Sequence, residues 1–328
     1  PLGRDAYQRQ HSSPGGKPRL VVFVLGETVR AHNATLEGYE RRTMPLMAQE
    51  EIVKFDSVYS CGTATAVSLP CMFSRQNRSS YDEFVSDNSE NLLDVLKHAG
   101  VRVLWRENNS GCKGVCARVK TQNTAQMDVP NYCNEDGCFD EILLYRLDES
   151  LNEPSRDTFI VLHQQGNHGP EYYKRYPPEF RKFQPECRSN RPQDCSRQEL
   201  INAYDNAILY TDFVLSRVVK FLKRNSDRYA SAMIYMSDHG ESLGESGIYL
   251  HGLPYLIAPH EQTHVPLMVW TSSDFRKGRG LERKCMSQVN DQEYSQDNLF
   301  DTVLGLFAVQ TQVYRPGQDI FAACPPPP

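Results

Sequence analysis

Asp238-His239, followed at once by Gly240, is the sharpest chemical signal in the chain. Adjacent residues inside a strand point to opposite faces, so both can aim at one point only where the strand has ended and turned. Gly240 permits such a turn. An Asp and a His joined by a distant Glu form a set of O and N ligands of the kind zinc takes in tetrahedral sites. Glu27, in Gly26-Glu27-Thr28, supplies the distant carboxylate. The plainer alternatives are a surface turn for Asp238-His239 and a helix-dipole carboxylate for Glu27.

A nucleophile is expected in Ser60-Cys61-Gly62-Thr63-Ala64-Thr65-Ala66-Val67-Ser68-Leu69-Pro70-Cys71. A helix starting here would turn its positive end and free N–H groups toward an anion. A threonine or serine hydroxyl is a poor nucleophile until a metal or base activates it. Spacing alone leaves Thr63, Thr65 and Ser68 all open. His168, in Gly166-Asn167-His168-Gly169-Pro170, and His251, twelve residues after His239, are candidates for proton transfer, a second metal or a phosphoryl group. Arg106-Glu107-Asn108-Asn109-Ser110, with Lys113 shortly after, adds carboxylate, amide and amine groups.

These side chains need strand ends to carry them. Leu20–Leu25, Val101–Trp105, Thr158–Leu162, Ala232–Met236 and Val265–Trp270 are apolar runs without clean alternation, as expected of strands buried on both faces. Helical patterns lie between them. Asn91–Gly100 ends in a glycine suited to a C-cap. A longer helix starts near Ser196, with Glu199 completing a capping box, and ends in Lys220, Lys223 and Arg224. Alternating strands and helices predict a doubly wound α/β fold, forming a single domain over residues 19–324. In such sheets ligands bind beyond the carboxyl ends of the strands, where Glu27, Arg106–Ser110, His168 and Asp238-His239 fall.

The 328 residues are 39% hydrophobic and 23% charged, which supplies a core and excludes disorder as the main state. A net charge of −5 argues against nucleic acid as a partner. The ten cysteines fall in close pairs, and none has the two-residue gap of a zinc ribbon. Pairing neighbours would give Cys61–Cys71, Cys112–Cys116, Cys133–Cys138, Cys187–Cys195 and Cys285–Cys324, a disulfide framework for an oxidising compartment. No apolar run is long enough to span a bilayer. Residues 1–18, polar and rich in Gly, Pro and Ser, are expected to be a disordered leader or an expression remnant; Pro325–Pro328 is expected to be an extended tail. A chain built for an oxidising compartment without an export signal reads as an excised part.

Taken together, Gly26-Glu27-Thr28-Val29-Arg30, Gly38-Tyr39, Ser60–Ser74, Gly166–Pro170, Asn202-Ala203-Tyr204-Asp205-Asn206 and Ser237–Glu245 resemble the lipid A phosphoethanolamine transferases of Gram-negative bacteria, a family that includes polymyxin-resistance enzymes. The resemblance implies an alkaline phosphatase/sulfatase-like fold, with a central, mostly parallel sheet between helices and disulfide-stapled loops. It implies one tightly held zinc on Glu27, Thr65, Asp238 and His239, with room for a second. It makes Thr65 the nucleophile that carries phosphoethanolamine covalently. His168 and His251 would bind a second zinc or the substrate phosphate, and Asn109, Lys113 and Glu241 would hold the phosphoethanolamine group. The five-bridge cysteine pattern of some members agrees with the pairing above. The implied partners are a phosphatidylethanolamine donor and a lipid A acceptor. The implied setting is a monomeric periplasmic domain on the inner membrane, anchored by an N-terminal membrane domain that this chain lacks.

Four rivals compete with this reading. A sulfatase would need Arg in a C/S-x-P-x-R pattern, and Met72 stands there. A phosphatase-like metallohydrolase on the same fold, or a transferase acting on core sugars, shares most of these residues. A lipid-binding protein without chemistry would not need every metal position filled.

Overall fold

Unbroken apolar runs become the middle strands of a sheet covered on both faces, and the polar residues at their ends line its edge. The computed structural model describes residues 2–8, 14–36, 38–152 and 155–324. The central sheet contains β1 (Arg19–Gly26), β2 (Ile52–Phe55), β3 (Arg102–Glu107), β4 (Lys120–Asn123), β5 (Thr158–His163), β6 (Ala230–Ser237) and β7 (Leu267–Thr271). Their order across the sheet is β2-β7-β6-β1-β5-β3-β4. The five strands from β6 to β4 run parallel; β7 is antiparallel to β6 and to β2. All five expected runs enter this sheet. β2 and β4 were not anticipated: β2 is a short outer strand with a lysine among its apolar residues, and β4 is polar throughout, so neither carries a continuous signal. The 265–270 run enters antiparallel, and its first two residues stay outside the strand.

Alternation along β1 divides its side chains between two cores. Val21, Phe23 and Leu25 face one layer, with Leu92, Leu96, Phe300 and Leu304. Leu20, Val22 and Val24 face the other, with Tyr204, Ile208, Leu215 and Val219. The helices that supply these cores are α1 (Thr65–Phe73), α3 (Leu92–His98), α4 (Arg197–Arg224) and α5 (Leu299–Leu306), while α2 (Glu83–Asp87) lies outside them with no buried residue. Ser196 and Glu199 form the expected capping box on α4, and Asn91 with Asp94 forms another on α3. Each box satisfies backbone donors that a helix start leaves free.

The ten cysteines form five bridges in the neighbour pattern. The expectation of a disordered leader fails for residues 2–8. Tyr7–Gln8 pairs antiparallel with Val309–Gln310, and Ala6 is buried. The Asp5 carboxylate takes the Thr311 hydroxyl and the Gln312 amide, so backbone and side-chain bonds offset the polar composition. Residues 9–13 and the Pro325–Pro328 tail lie outside the described residues.

Candidate active site

β1, β5 and β6 end side by side, and the turns at their carboxyl ends build the site. Gly26 closes β1 against the Tyr235 ring, which a Cβ would meet at 2.8 Å. Thr28 then adopts φ 60°, a left-handed conformation uncommon for a β-branched residue and a mark of local strain. The turn lets the Thr28 amide donate to Asp238 Oδ1 at 3.0 Å and the Thr28 hydroxyl donate to Glu27 Oε1 at 2.5 Å. The Tyr204 hydroxyl, from α4, fixes the same turn by donating to the Thr28 carbonyl and accepting from the Arg30 amide.

After β6 the chain bends at Gly240, where a Cβ would fall 2.0 Å from the Glu261 carbonyl oxygen. His239 Nδ1 lies 2.8 Å from the Gly240 carbonyl; since a carbonyl only accepts, Nδ1 carries the proton and Nε2 is the atom turned to the site. The Gln296 amide donates to the Ser237 and Asp238 carbonyls and holds this bend from the far side.

Glu27, Asp238 and His239 are fully buried, and each offers a ligand atom within 4.8 Å of the others. His239 Nε2 stands 3.2 Å from Glu27 Oε1 and 3.5 Å from Asp238 Oδ2. Thr65, the first residue of α1, places Oγ1 2.9 Å from Glu27 Oε2 and 3.4 Å from His239 Nε2. Four ligands at ordinary zinc bond lengths in a tetrahedron sit about 3.3 Å apart, close to these separations. Asp238 Oδ2 is buried with no hydrogen-bond partner. Such an atom is costly unless it meets a cation. The donor set therefore fits a divalent ion. Cys61, Cys71 and Asp297 also cluster, but the two sulfurs are bonded to each other and offer no thiolate.

Protonation reports the same field. Burial and the nearby Glu27 raise the Asp238 carboxyl to about 6. Burial also works against the charge on Glu27, but the hydrogen bond and charge of His239 outweigh it, and the carboxyl falls below its usual range. Burial would lower His239, yet Asp238 and Glu27 raise it to about 10. Two convergent carboxylates beside this imidazole thus demand positive charge at one point.

The three hydroxyls left open by spacing are separated by structure. Thr63 donates to the Leu253 carbonyl, and Ser68 accepts from the Gly62 amide, so both are committed to backbone. Thr65 alone of these points at the ligand cluster. The His251 and His239 rings lie 4.2 Å apart between centroids, tilted by 43°, and His168 meets His251 edge-on at 6.2 Å. His251 Nδ1 faces Glu241 Oε1 at 3.1 Å, which leaves Nε2 for the cleft. Burial lowers the affinity of His168 for a proton.

The three residues expected to hold substrate each bond neighbouring protein groups. Glu241 is fully buried; Tyr172 donates to its Oε2, and the carboxylate orients His251 rather than facing the cleft. Asn109 donates to Glu27 Oε2 and to the Gln164 carbonyl, both at 2.8 Å, while its oxygen accepts the Ser110 amide. It therefore clamps Glu27. Lys113 Nζ donates to the Ser110 hydroxyl and carbonyl.

Sequence reasoning gave no role to the buried Glu107–His163 pair. Glu107 Oε2 meets His163 Nδ1 at 2.9 Å, and Oε1 accepts the Asn109 amide, supporting the clamp from behind. A carboxylate and an imidazole that end neighbouring strands were the available signal. Gln296 carried none, being distant in sequence from every motif.

A family model described as Sulfatase matches residues 19–309. The soluble domain of lipooligosaccharide phosphoethanolamine transferase A from Neisseria meningitidis aligns with TM-score 0.95 and 47% identity, covering 99% of this chain and 98% of that one. The integral membrane protein lipooligosaccharide phosphoethanolamine transferase A (EptA) from the same organism also aligns at TM-score 0.95 and 47% identity, covering 99% of this chain and 61% of that one. Phosphoethanolamine transferase EptA of Escherichia coli (strain K12) is 45% identical over 324 residues, 98% of this chain and 59% of the relative. The chain thus spans about three fifths of the length of that curated relative.

Proposed function

Since the chain belongs to the sulfatase family, and within it to the phosphoethanolamine transferases, we propose that it moves phosphoethanolamine from phosphatidylethanolamine to a lipid A phosphate through a covalent intermediate on Thr65. The observation that carries this reading is the Thr65 hydroxyl, at the first turn of α1, held 2.9 Å from Glu27 and 3.4 Å from His239.

Glu27, Thr65, Asp238 and His239 would hold one zinc. When bound, such an ion supplies the positive charge that makes a Thr65 alkoxide accessible near neutral pH. Glu27 accepts the Thr65 hydroxyl hydrogen bond and fixes its direction. The positive end of α1 favours the anionic phosphoryl group beside it. Thr65 Oγ1 attacks phosphorus, the bond to the glycerol oxygen breaks, and diacylglycerol leaves. A lipid A phosphate oxygen then attacks the same phosphorus, and Thr65 is released. His168 and His251 Nε2 bind the phosphoryl oxygens or pass protons, and Lys113 would bind the incoming anion. Phosphoryl transfer depends mainly on such positioning and charge neutralisation.

Residues 19–324 would form the catalytic domain of a protein held at the periplasmic face of the inner membrane, in keeping with five bridges and with the integral membrane relative. The product lipid would carry less negative charge and bind cationic polymyxins less well.

Intact-mass spectrometry after incubation with a phosphoethanolamine donor tests the route. One adduct, mapped to Thr65 and absent from Thr65→Ala, is expected. Unmodified wild-type protein across a range of zinc concentrations would refute it.

A further inference from the structure

Large apolar side chains left in water need a reason when they gather. Seven are exposed among the described residues, and five belong to the nucleophile's helix and to two segments fastened beside it: Val67, Phe84, Val85, Leu256 and Ile257. Leu256 is 97% exposed, Phe84 77% and Ile257 71%, so none of the three supports the core.

Their placement is set by hydrogen bonds around Thr65. The Gly252 amide donates to the Thr63 carbonyl, and the Thr63 hydroxyl donates to the Leu253 carbonyl. These bonds tie the segment leading into the 3-10 turn Tyr255–Ile257 to the residue two before Thr65. Val67 lies on the first turn of α1, two residues after Thr65. Beyond α1, Gln76 and Asp82 exchange side-chain and backbone bonds and close a loop. The Arg78 guanidinium on that loop stacks 4.2 Å from the Tyr255 ring centroid, and α2, bearing Phe84 and Val85, comes next and packs on α1. Apolar tips, an aromatic ring and an adjacent arginine are the groups that settle at a bilayer interface.

We infer that Leu256, Ile257, Val67, Phe84 and Val85 form a lipid-docking rim that enters the hydrocarbon boundary of the membrane carrying the donor. The inference rests on the proposed transfer from a diacyl lipid. A donor phosphate at Thr65 leaves two acyl chains projecting from the cleft, and this rim is the apolar surface fastened beside it. Arg78 sits where anionic headgroups would lie.

The test compares the wild-type chain with Leu256→Ser/Ile257→Ser, a surface change whose melting temperature should match wild type. Flotation with vesicles of phosphatidylethanolamine and phosphatidylglycerol should show binding reduced about tenfold or more. Adduct formation should fall similarly with those vesicles, yet stay within about twofold with a monomeric short-chain phosphatidylethanolamine. Equal loss on both donors, or unchanged vesicle binding, overturns the inference. So does a wild-type dimer that the double variant dissolves, since the rim would then belong to a second copy. If wild type forms no adduct with either donor, the proposed transfer fails, and vesicle flotation alone decides the docking rim.

Discussion

Asn109 shows how a single amide can serve chemistry without touching a reacting atom. Its two donor bonds hold Glu27 Oε2 and the Gln164 carbonyl, and Glu107 supports its backbone. Losing a hydrogen bond to a charged group costs about 1.5–3 kcal/mol. Asn109→Ala should therefore weaken zinc binding about tenfold or more, read by competition with a chromogenic chelator. Asn109→Asp should weaken it further, because a second carboxylate would face Glu27. Unchanged affinity in both variants would return Asn109 to a substrate role. Residue types alone picked out Glu27, Asp238, His239, His168 and His251. They could not separate Thr65 from Thr63 and Ser68, since which hydroxyl is free depends on backbone partners in distant loops. The substrate role of Glu241 and Asn109 came from the family resemblance; their burial and partners are tertiary facts that residue types do not carry.

Between elements, the Ser237–Glu245 segment and the turn after β1 are locked by an ion pair. Arg30 Nη1 meets Glu245 Oε1 at 2.8 Å, and the Leu243 amide also bonds that carboxylate. Burial opposes the charge on Glu245, but Arg30 outweighs it, and the pKa drops from its usual 4.5 to about 2. A depressed carboxyl stabilises the fold above its unfolded pKa and loses that contribution as pH falls. Glu245→Gln should cost about 1–2 kcal/mol at neutral pH, allowing for the solvent that still screens the pair. The difference from wild type should shrink as pH falls below 4.5 and vanish near 2, as followed by urea unfolding. A difference independent of pH would assign the loss to packing. The motif residues Tyr39 and Asp205 play a comparable part: Asp205 takes bonds from Asn33, Tyr39 and Arg41, and braces α4 against the segment after β1. The Ser196–Glu199 capping box and all five apolar runs were legible in the sequence; the Asn91–Asp94 box was not read there. The outer strands β2 and β4 were not legible, because a lysine interrupts the first and the second is polar throughout.

At the scale of the whole molecule, five bridges staple the loops and the C-terminal segment around a sheet whose strand ends form the site. Cys285–Cys324 closes the longest loop, with a sequence separation of 39. Chain-entropy reasoning gives such a loop about 4 kcal/mol, more than any of the shorter bridges. Cys285→Ala/Cys324→Ala should lower the melting temperature more than Cys112→Ala/Cys116→Ala, and the reverse order would contradict that assignment. The cysteine pairing was readable because neighbours lie close in sequence. The docking of residues 2–8 on Val309–Gln310 was not, since a two-residue bridge leaves no pattern. The central claim belongs to this scale too, because only the complete fold brings residues 27, 65, 238 and 239 together. Crystals of the chain grown with zinc, with anomalous diffraction collected at the zinc edge, test it most directly. The expected result is one strong peak within about 2.0–2.3 Å of ligand atoms on Glu27, Thr65, Asp238 and His239. A zinc-loaded crystal with no peak among these four side chains, or with Thr65 turned away from it, would contradict the account.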